Sequence, residues 1–369
     1  MGSACAYHLA RRGVPVLALE QFDIPHSRGS SHGHSRMIRM AYHEHADYVP
    51  LLRRAYALWR ELEAVSGQPL FHMPGGLYMG RADGAFIGGV THAARTHGLS
   101  HRLLDRATMA REFPQFVVPN DYIGFFEPTA GLLIPERIVA THADQALRAG
   151  ADLRGHEPAL EWSSDPRGVR VRTARGEYRA DRLVVTSGAW ASTVVAGLGV
   201  PLRVTRQTLG WFWPREHAMF DRGRCPVWAI EQPDGYEFYG FPLMPEAPGF
   251  KLARHRPGPT TDPDRNEWNV LPGDEEDLRA CLHRHIPGAQ GSLLGLRVCM
   301  YTMTPDSHFI IDRHPKHDNV FVACGFSGHG FKFSSVVGEV LADLAQRGRT
   351  DHPIEFLGLS RFQKSPGGG

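Results

Sequence analysis

Gly2-Ser3-Ala4-Cys5-Ala6-Tyr7-His8-Leu9-Ala10-Arg11-Arg12-Gly13-Val14-Pro15-Val16-Leu17-Ala18-Leu19-Glu20 opens the chain. Its order is a small-residue helix over Ser3 to Arg12, a turn at Gly13, an apolar strand over Val14 to Leu19, and an acid. In a dinucleotide-binding fingerprint the third glycine lets the helix pack closely on the first strand, and an acid about twenty residues on binds ribose hydroxyls. Gly2 and Glu20 match those two roles. The first strand and the first two glycines are not in the stretch. This reading therefore places them before Met1, with the natural start about a dozen residues upstream and Met1 an internal methionine or a misassigned start.

A second segment of the same kind lies near the other end. Asn319 to Cys324 is a strand-like apolar run that enters Gly325-Phe326-Ser327-Gly328-His329-Gly330-Phe331-Lys332. A helical pattern follows through Val336, Val337, Val340, Leu341, Leu344 and Ala345, with Gly348 as its stop. The spacing predicts a glycine turn feeding a helix start between Gly328 and Phe331, where free backbone N–H groups face an anion or a polarised carbonyl. Between these ends, Asp47 to Glu63 reads as an amphipathic helix and Ile138 to Ala149 as a helix after Pro135. Val169 to Arg172 and Tyr178 to Thr186 read as a hairpin that leads to Ser187-Gly188-Ala189-Trp190. From about Val200 to Pro257 the chain is richer in Pro, Trp, Phe and Tyr, and strands around Trp211 to Trp213 and Tyr236 to Phe241 predict a separate antiparallel sheet. Nucleotide-binding pieces at both ends and near the middle imply domains interleaved in sequence.

Composition narrows the function. The 369 residues are 42% hydrophobic and 22% charged, with 41 Lys plus Arg against 39 acids. A balance this close offers no strong field for nucleic acid or an anionic membrane. No run reaches the ~18 apolar residues of a spanning helix and Met1 to Gly13 lacks a signal-peptide core, so the expected location is the cytoplasm. Five cysteines (Cys5, Cys225, Cys281, Cys299, Cys324) are scattered without a CxxC pair, which favours neither zinc nor a disulfide framework. His26, His32, His34, His43 and His45 lack regular ligand spacing, and no metal is expected. Only Lys251, Lys316, Lys332 and Lys364 among the basic residues are lysines. A lysine kept in an arginine background suggests that an ammonium is wanted there, for Lys251 and Lys332 above all. Lys316 sits in a polar segment and Lys364 in the Gly-rich tail, where a solvated role suffices.

Four segments together resemble the monomeric sarcosine oxidase and N-methyl-amino-acid oxidase family of flavoenzymes. They are Gly29-Ser30-Ser31-His32-Gly33-His34-Ser35-Arg36-Met37-Ile38-Arg39, Tyr239-Gly240-Phe241-Pro242 with Lys251 and His255, Cys299-Met300-Tyr301-Thr302, and Gly325 through Phe333. The similarity runs from Gly2 to about Phe362. It implies an α/β fold in which a glutathione-reductase-type FAD-binding Rossmann domain (1–75, 137–205 and 285–369), lacking its first strand, is interleaved with an antiparallel-sheet substrate domain (76–136 and 206–284).

The resemblance also implies roles. Cys299 occupies the place where the family attaches FAD through a thioether, and Ser30, His32, Gly328, Gly330 and Phe331 join Gly2 and Glu20 around the cofactor. Arg39 and Lys332 would clamp the substrate carboxylate, one as a fork of donors and one as a point charge. Tyr239, Tyr301 and His255 match residues lining the substrate pocket. Lys251 matches the lysine that promotes reaction with oxygen, and Arg36 lies close to the flavin ring. The implied reaction is oxidation of a secondary (N-methyl) amino acid to an imine, with O₂ reduced to H₂O₂ and formaldehyde released, by a monomer without nucleic-acid or membrane partners. Two other readings stay open on sequence alone: an oxidase or dehydrogenase of a cyclic imino acid or D-amino acid, and a flavin-free binding or remnant protein with an incomplete phosphate-binding turn.

Overall fold

Helix Gly2–Ala10 is buried from Ala4 onward, and small residues make that possible. It packs against helix Ser334–Arg347, where a Cβ added to Gly338 would stand 2.6 Å from the carbonyl carbon of Ala4. Strand Leu17–Leu19 follows and runs parallel to Asp152–Arg154, after helix Pro135–Arg148. Strand Leu183–Val185 runs parallel to His317–Cys324, which pairs on its other edge with Ile310–His314. The computed structural model describes residues 1–195 and 197–363; the tail with Lys364 lies outside them. Among the described residues no strand joins Leu17–Leu19 to Leu183–Val185, so the nucleotide-type sheet is in two parts. Gly2 bridges them, because its Cα faces Thr186 just beyond the second part and a Cβ there would be 2.7 Å from Oγ1.

The second layer is an eight-stranded sheet. Its order is Leu293–Met303, Arg203–Phe212, Phe250–His255, Glu237–Phe241, Val227–Glu231, Gly76–Arg81, Tyr122–Glu127 and Arg102–Leu104. All neighbours are antiparallel except Val227–Glu231 with Gly76–Arg81, which run parallel. The sheet is therefore mixed, where the sequence predicts an antiparallel one. A parallel pair needs a long crossover, and the chain from residue 82 to 226 supplies it. The sheet also crosses the boundaries expected at 205 and 284, since Arg203–Phe212 pairs along its length with Leu293–Met303. One core packs around helix Tyr48–Ser66 with Trp59, and another packs on the sheet around Trp228 and Phe250.

Two local expectations change. Tyr178 to Thr186 is not one strand: Glu177–Ala180 pairs with Gly168–Arg172, the exposed pair Asp181 and Arg182 breaks the chain, and the more buried Leu183–Val185 joins the parallel sheet. After the glycine turn, a 3₁₀ turn at Phe331–Phe333 precedes the α-helix, which starts at Ser334 and stops at Gly348 with φ +71°. Among the described residues no helix is long and apolar enough to cross a membrane.

The close approach at Gly338 sets a stability test. Gly338→Val places a branched side chain against the backbone of Ala4 and Cys5, and should lower unfolding free energy by about 1–3 kcal/mol. Urea titration of both proteins measures it, and an unchanged midpoint would show that the two helices can separate freely.

Candidate active site

Strand Arg36–Ile38 pairs with Gly131–Leu133 and delivers Arg39 into a pocket between the layers. Arg39 is buried. Its Nη2 donates to both carboxylate oxygens of Glu44 at 2.8 Å and to Nδ1 of His43 at 3.0 Å, while Nη1 donates to the carbonyl of Ala41 at 2.9 Å. Burial alone would raise the Glu44 pKa, but the guanidinium holds it well below the ordinary carboxylate range. Lys332, on the 3₁₀ turn, enters the pocket too. Its Nζ donates to the carbonyl of His329 at 2.8 Å and to Oη of Tyr42 at 3.4 Å. Burial, and then the charge of Arg39, lower its pKa to about 7.

Tyr42 links the two cations. The Arg39 guanidinium carbon lies 4.5 Å from the centre of its ring and the Lys332 Nζ 5.1 Å. Its hydroxyl is 2.6 Å from Nδ1 of His329, whose Nε2 is 2.9 Å from the carbonyl of Ser307. A carbonyl only accepts, so Nε2 carries the ring proton, Nδ1 accepts, and the Tyr42 hydroxyl donates to it. The tyrosine oxygen is then left to accept from Lys332.

The large sheet supplies the facing wall. Tyr239 and His255 line the pocket from adjacent strands, and Nδ1 of His255 lies 3.3 Å from Oη of Tyr301 on Leu293–Met303. Burial lowers the His255 pKa to about 4, so it is neutral at pH 7.

A second cluster lies beside this pocket, around the loop from Gly29 to Arg36. Lys251 is 1% exposed, and its Nζ donates to the carbonyls of Gly33 and Ser35 at 2.7 and 2.8 Å and to the Ser35 hydroxyl at 3.2 Å. Burial and the charge of Arg36 push its pKa well down. The geometry weighs the other way: three oxygen acceptors suit the three N–H bonds of an ammonium, whereas a neutral amine would turn a lone pair on an oxygen. Arg36 donates to the carbonyls of Ser35 and Ser30 at 2.8 Å each and lies 3.8 Å from Sγ of Cys299. The Ser30 hydroxyl donates to the carbonyl of Met300 at 2.5 Å. Burial raises the thiol pKa of Cys5, Cys225 and Cys324 to about 12, and none of these lies in the cluster.

The structure therefore groups Arg39, Lys332, Tyr239, His255 and Tyr301 at one place, and Lys251, Arg36, Ser30, His32 and Cys299 beside it. Gly328 belongs with the first, since it lines that pocket and a Cβ there would stand 2.4 Å from the Tyr301 ring. Phe331 lines the pocket, and Gly330 admits the Phe326 side chain, 2.5 Å from where a Cβ would be. Gly2 and Glu20 lie apart, at the nucleotide-type sheet, where Oε1 of Glu20 accepts from the N–H of Phe22 at 3.0 Å. Sequence reasoning missed Tyr42, Glu44, Glu136 and Glu237, and weighed His43 only as part of a metal cluster, which among the described residues is not found. Glu136 accepts from the N–H groups of Gly33 and His34 at 2.6 and 3.1 Å and holds their loop. The one signal available was the nearness of Glu44 to Arg39 in sequence.

The residues suit a flavin dinucleotide. Both ring nitrogens of His32 are buried without a partner, as is the Ser187 hydroxyl. Unsatisfied groups of this kind are costly unless a ligand meets them. His32 lies in the loop whose Arg36 reaches Cys299, and Ser187 follows Thr186, which faces Gly2.

Comparison with known proteins agrees. Residues 1–344 match the family described as FAD dependent oxidoreductase. The chain is 43% identical to a monomeric sarcosine oxidase of Streptomyces avermitilis, across 99% of this chain and 96% of that one. It is 35% identical to an N-methyl-L-tryptophan oxidase of Citrobacter koseri, across 98% and 96%. Among solved structures, NikD, an unusual amino acid oxidase of nikkomycin biosynthesis, superposes with a TM-score of 0.84 at 26% identity, covering 96% of this chain and 94% of that one. Glycine oxidase from Geobacillus kaustophilus shares the fold, with a TM-score of 0.81 at 20% identity over 98% and 96%. The chain belongs to the FAD-dependent oxidoreductase family, in the branch that holds the monomeric sarcosine oxidases and the N-methyl-L-tryptophan oxidases.

Proposed function

We propose that the protein oxidises a small secondary (N-methyl) amino acid to its imine with oxygen as acceptor, yielding H₂O₂, formaldehyde and the primary amino acid. The observation that carries this reading is the pair of buried cations, Arg39 and Lys332, converging through Tyr42 on one pocket. Two buried cations lining one pocket suit a carboxylate. Arg39 offers a guanidinium edge whose charge Glu44 keeps balanced before substrate arrives, and Lys332 adds a point charge. Tyr239, Tyr301 and the neutral His255 wall in the amine and exclude water from it.

FAD would be held by Cys299, Ser30, His32, Gly328, Gly330 and Phe331 on the ring side and by Gly2 and Glu20 on the nucleotide side. Bound there, it supplies the two-electron acceptor that the amine needs and returns those electrons to oxygen. Lys251 presents a fixed ammonium in a site with little water, which stabilises negative charge developing on oxygen. Arg36 adds a second positive charge beside it. Attachment of the flavin to Cys299 is part of this proposal, supported by the burial of that thiol beside Arg36. Segments 1–75, 137–205 and 285–369 are assigned mainly to the cofactor and 76–136 and 206–284 to the substrate, with Leu293–Met303 joining the substrate sheet across that boundary. Five buried unpaired cysteines suit a reducing compartment, and a cytoplasmic monomer completes the reading. The family match leaves the flavin-free reading without support.

Three measurements test it. Anaerobic addition of N-methyl amino acids to the purified protein should bleach its visible absorption, and air should restore it with release of H₂O₂; bleaching by a D-amino acid or a cyclic imino acid alone would replace the substrate class. Acid precipitation should carry the yellow colour into the pellet for the wild type and leave it in the supernatant for Cys299→Ser. Release from the wild type would remove the thioether. Acetate, as a carboxylate probe, should bind more weakly as pH rises through about 7, because Lys332 is charged below that value and loses its proton above it. Lys332→Met should weaken binding at pH 6 by about tenfold or more and flatten the profile, and a wild-type affinity constant from pH 6 to 8 would overturn the assigned clamp.

A further inference from the structure

Glu237 begins the strand Glu237–Phe241, and its side chain is 8% exposed on the wall of the pocket that holds Arg39. Phe86 and Ala229 line the same wall and bring no polar side-chain atom to it. Its ion-pair contact among the described residues is His43, with Nε2 3.2 Å from Oε1. His43 turns its other nitrogen to Arg39 at 3.0 Å and to Oε2 of Glu44 at 3.2 Å; with Nδ1 accepting from the guanidinium, the hydrogen bond that the geometry supports, the ring proton sits on Nε2, facing Glu237. Burial holds the His43 pKa near 3, so one N–H is all that it brings.

The two acids of the pocket are thus treated differently. Glu44 has a guanidinium on both oxygens. Glu237 has one neutral imidazole, and burial together with the charge of Glu44 raises its pKa to about 8. Groups on the neighbouring strands do not make up the difference. Glu231 spends its carboxylate on the N–H of Arg81 at 3.0 Å, and His255, in register with Glu237, directs Nδ1 to Tyr301. Ionising Glu237 in this buried wall without a cation is costly, so in the empty pocket at neutral pH its carboxyl is mostly protonated, and its open side is the pocket itself.

We propose that Glu237 reads the substrate side chain, and that the preferred substrates are secondary amino acids whose side chain ends in a hydrogen-bond donor, an ammonium above all. This rests on the oxidation of amino acids proposed above. With the α-carboxylate at Arg39 and Lys332, a single imidazole separates the clamp from Glu237, so a short side chain spans them. The ammonium supplies the cation that lets Glu237 give up its proton to solvent and pair as a carboxylate, while an apolar side chain of equal length leaves the carboxyl buried with His43 alone.

The test uses the holoenzyme and two isosteric substrates, Nα-methyl-2,4-diaminobutyrate and N-methylnorvaline, with sarcosine as reference. In the wild type, kcat/KM for the ammonium substrate should exceed that for its neutral isostere at least tenfold, and Glu237→Gln should bring the ratio towards one. Equilibrium binding gives a readout that needs no turnover: 4-aminobutanoate should bind the wild type at least tenfold more tightly than pentanoate, and lose that advantage in Glu237→Gln. A wild-type preference for norvaline, or an equal fall for both substrates in the variant, overturns the role of Glu237 while sarcosine turnover leaves the oxidase reading intact. If no secondary amine bleaches the protein, the oxidase reading fails and takes this one with it.

Discussion

A single buried ammonium ties the two layers together. Lys251 belongs to the large sheet, yet all three of its hydrogen bonds end on Gly33 and Ser35, in the loop that the opposite layer presents. Removing it would strip one donor from each of two buried carbonyls, leaving Gly33 with the Ser35 N–H and Ser35 with the Arg36 guanidinium, and would cut a direct tie from the large sheet to that loop. The loop it holds carries Arg36 and Ser30 to Cys299 and Met300, so the position of the whole cluster follows from that contact. Glu136 clamps the same loop from its other side through the N–H groups of Gly33 and His34. One loop held by a lysine from one sheet and a glutamate from a distant helix is rigid without being regular, which is what a positioned site requires.

The charges in the pocket are arranged so that little repulsion is stored. Arg39, Lys332 and Lys251 are all buried, and each is met differently: Arg39 by a carboxylate, Lys332 by a carbonyl and a tyrosine oxygen, Lys251 by three oxygens. The histidines nearby do not add to the positive charge, because burial lowers His32, His43 and His329 to about 3 and His255 to about 4. They act at neutral pH as fixed donors and acceptors. Were they protonated, the pocket would hold more cations than the acids of its walls could balance.

The legibility of this site in the sequence follows the range of the interaction involved. Glycines with positive φ or tight contacts, such as Gly328 and Gly348, announce themselves because a local backbone requirement selects them. Lys251 and Lys332 stood out against an arginine background, and four short segments carried the family resemblance. Glu136, Glu237 and Tyr42 gave no such sign. The contact of Glu136 with Gly33 spans 103 residues and that of Tyr42 with His329 spans 287, and nothing local distinguishes these residues from a solvated acid or a packed aromatic. The fold errors have the same origin: the break at Asp181 and Arg182 and the parallel pairing of Val227–Glu231 with Gly76–Arg81 depend on which distant strand is available. Strand propensity is silent on that choice.

In the proposed carboxylate clamp, the Arg39–Glu44 pair shows why such an arginine would come with its own acid. An unpaired guanidinium in this pocket would be strongly disfavoured by desolvation, and the empty site would tend to rearrange or flood with water. Glu44 prevents this, at the expense of competing with the incoming carboxylate for the same donors. Lys332 resolves the competition. Held by neutral oxygens, with Glu44 acting on it without direct contact, its charge is less fully offset than that of Arg39, so an incoming carboxylate would gain most there. The proposed clamp would therefore work as an unequal pair, with one cation kept in balance to hold the pocket's shape and the other less fully compensated to attract the ligand.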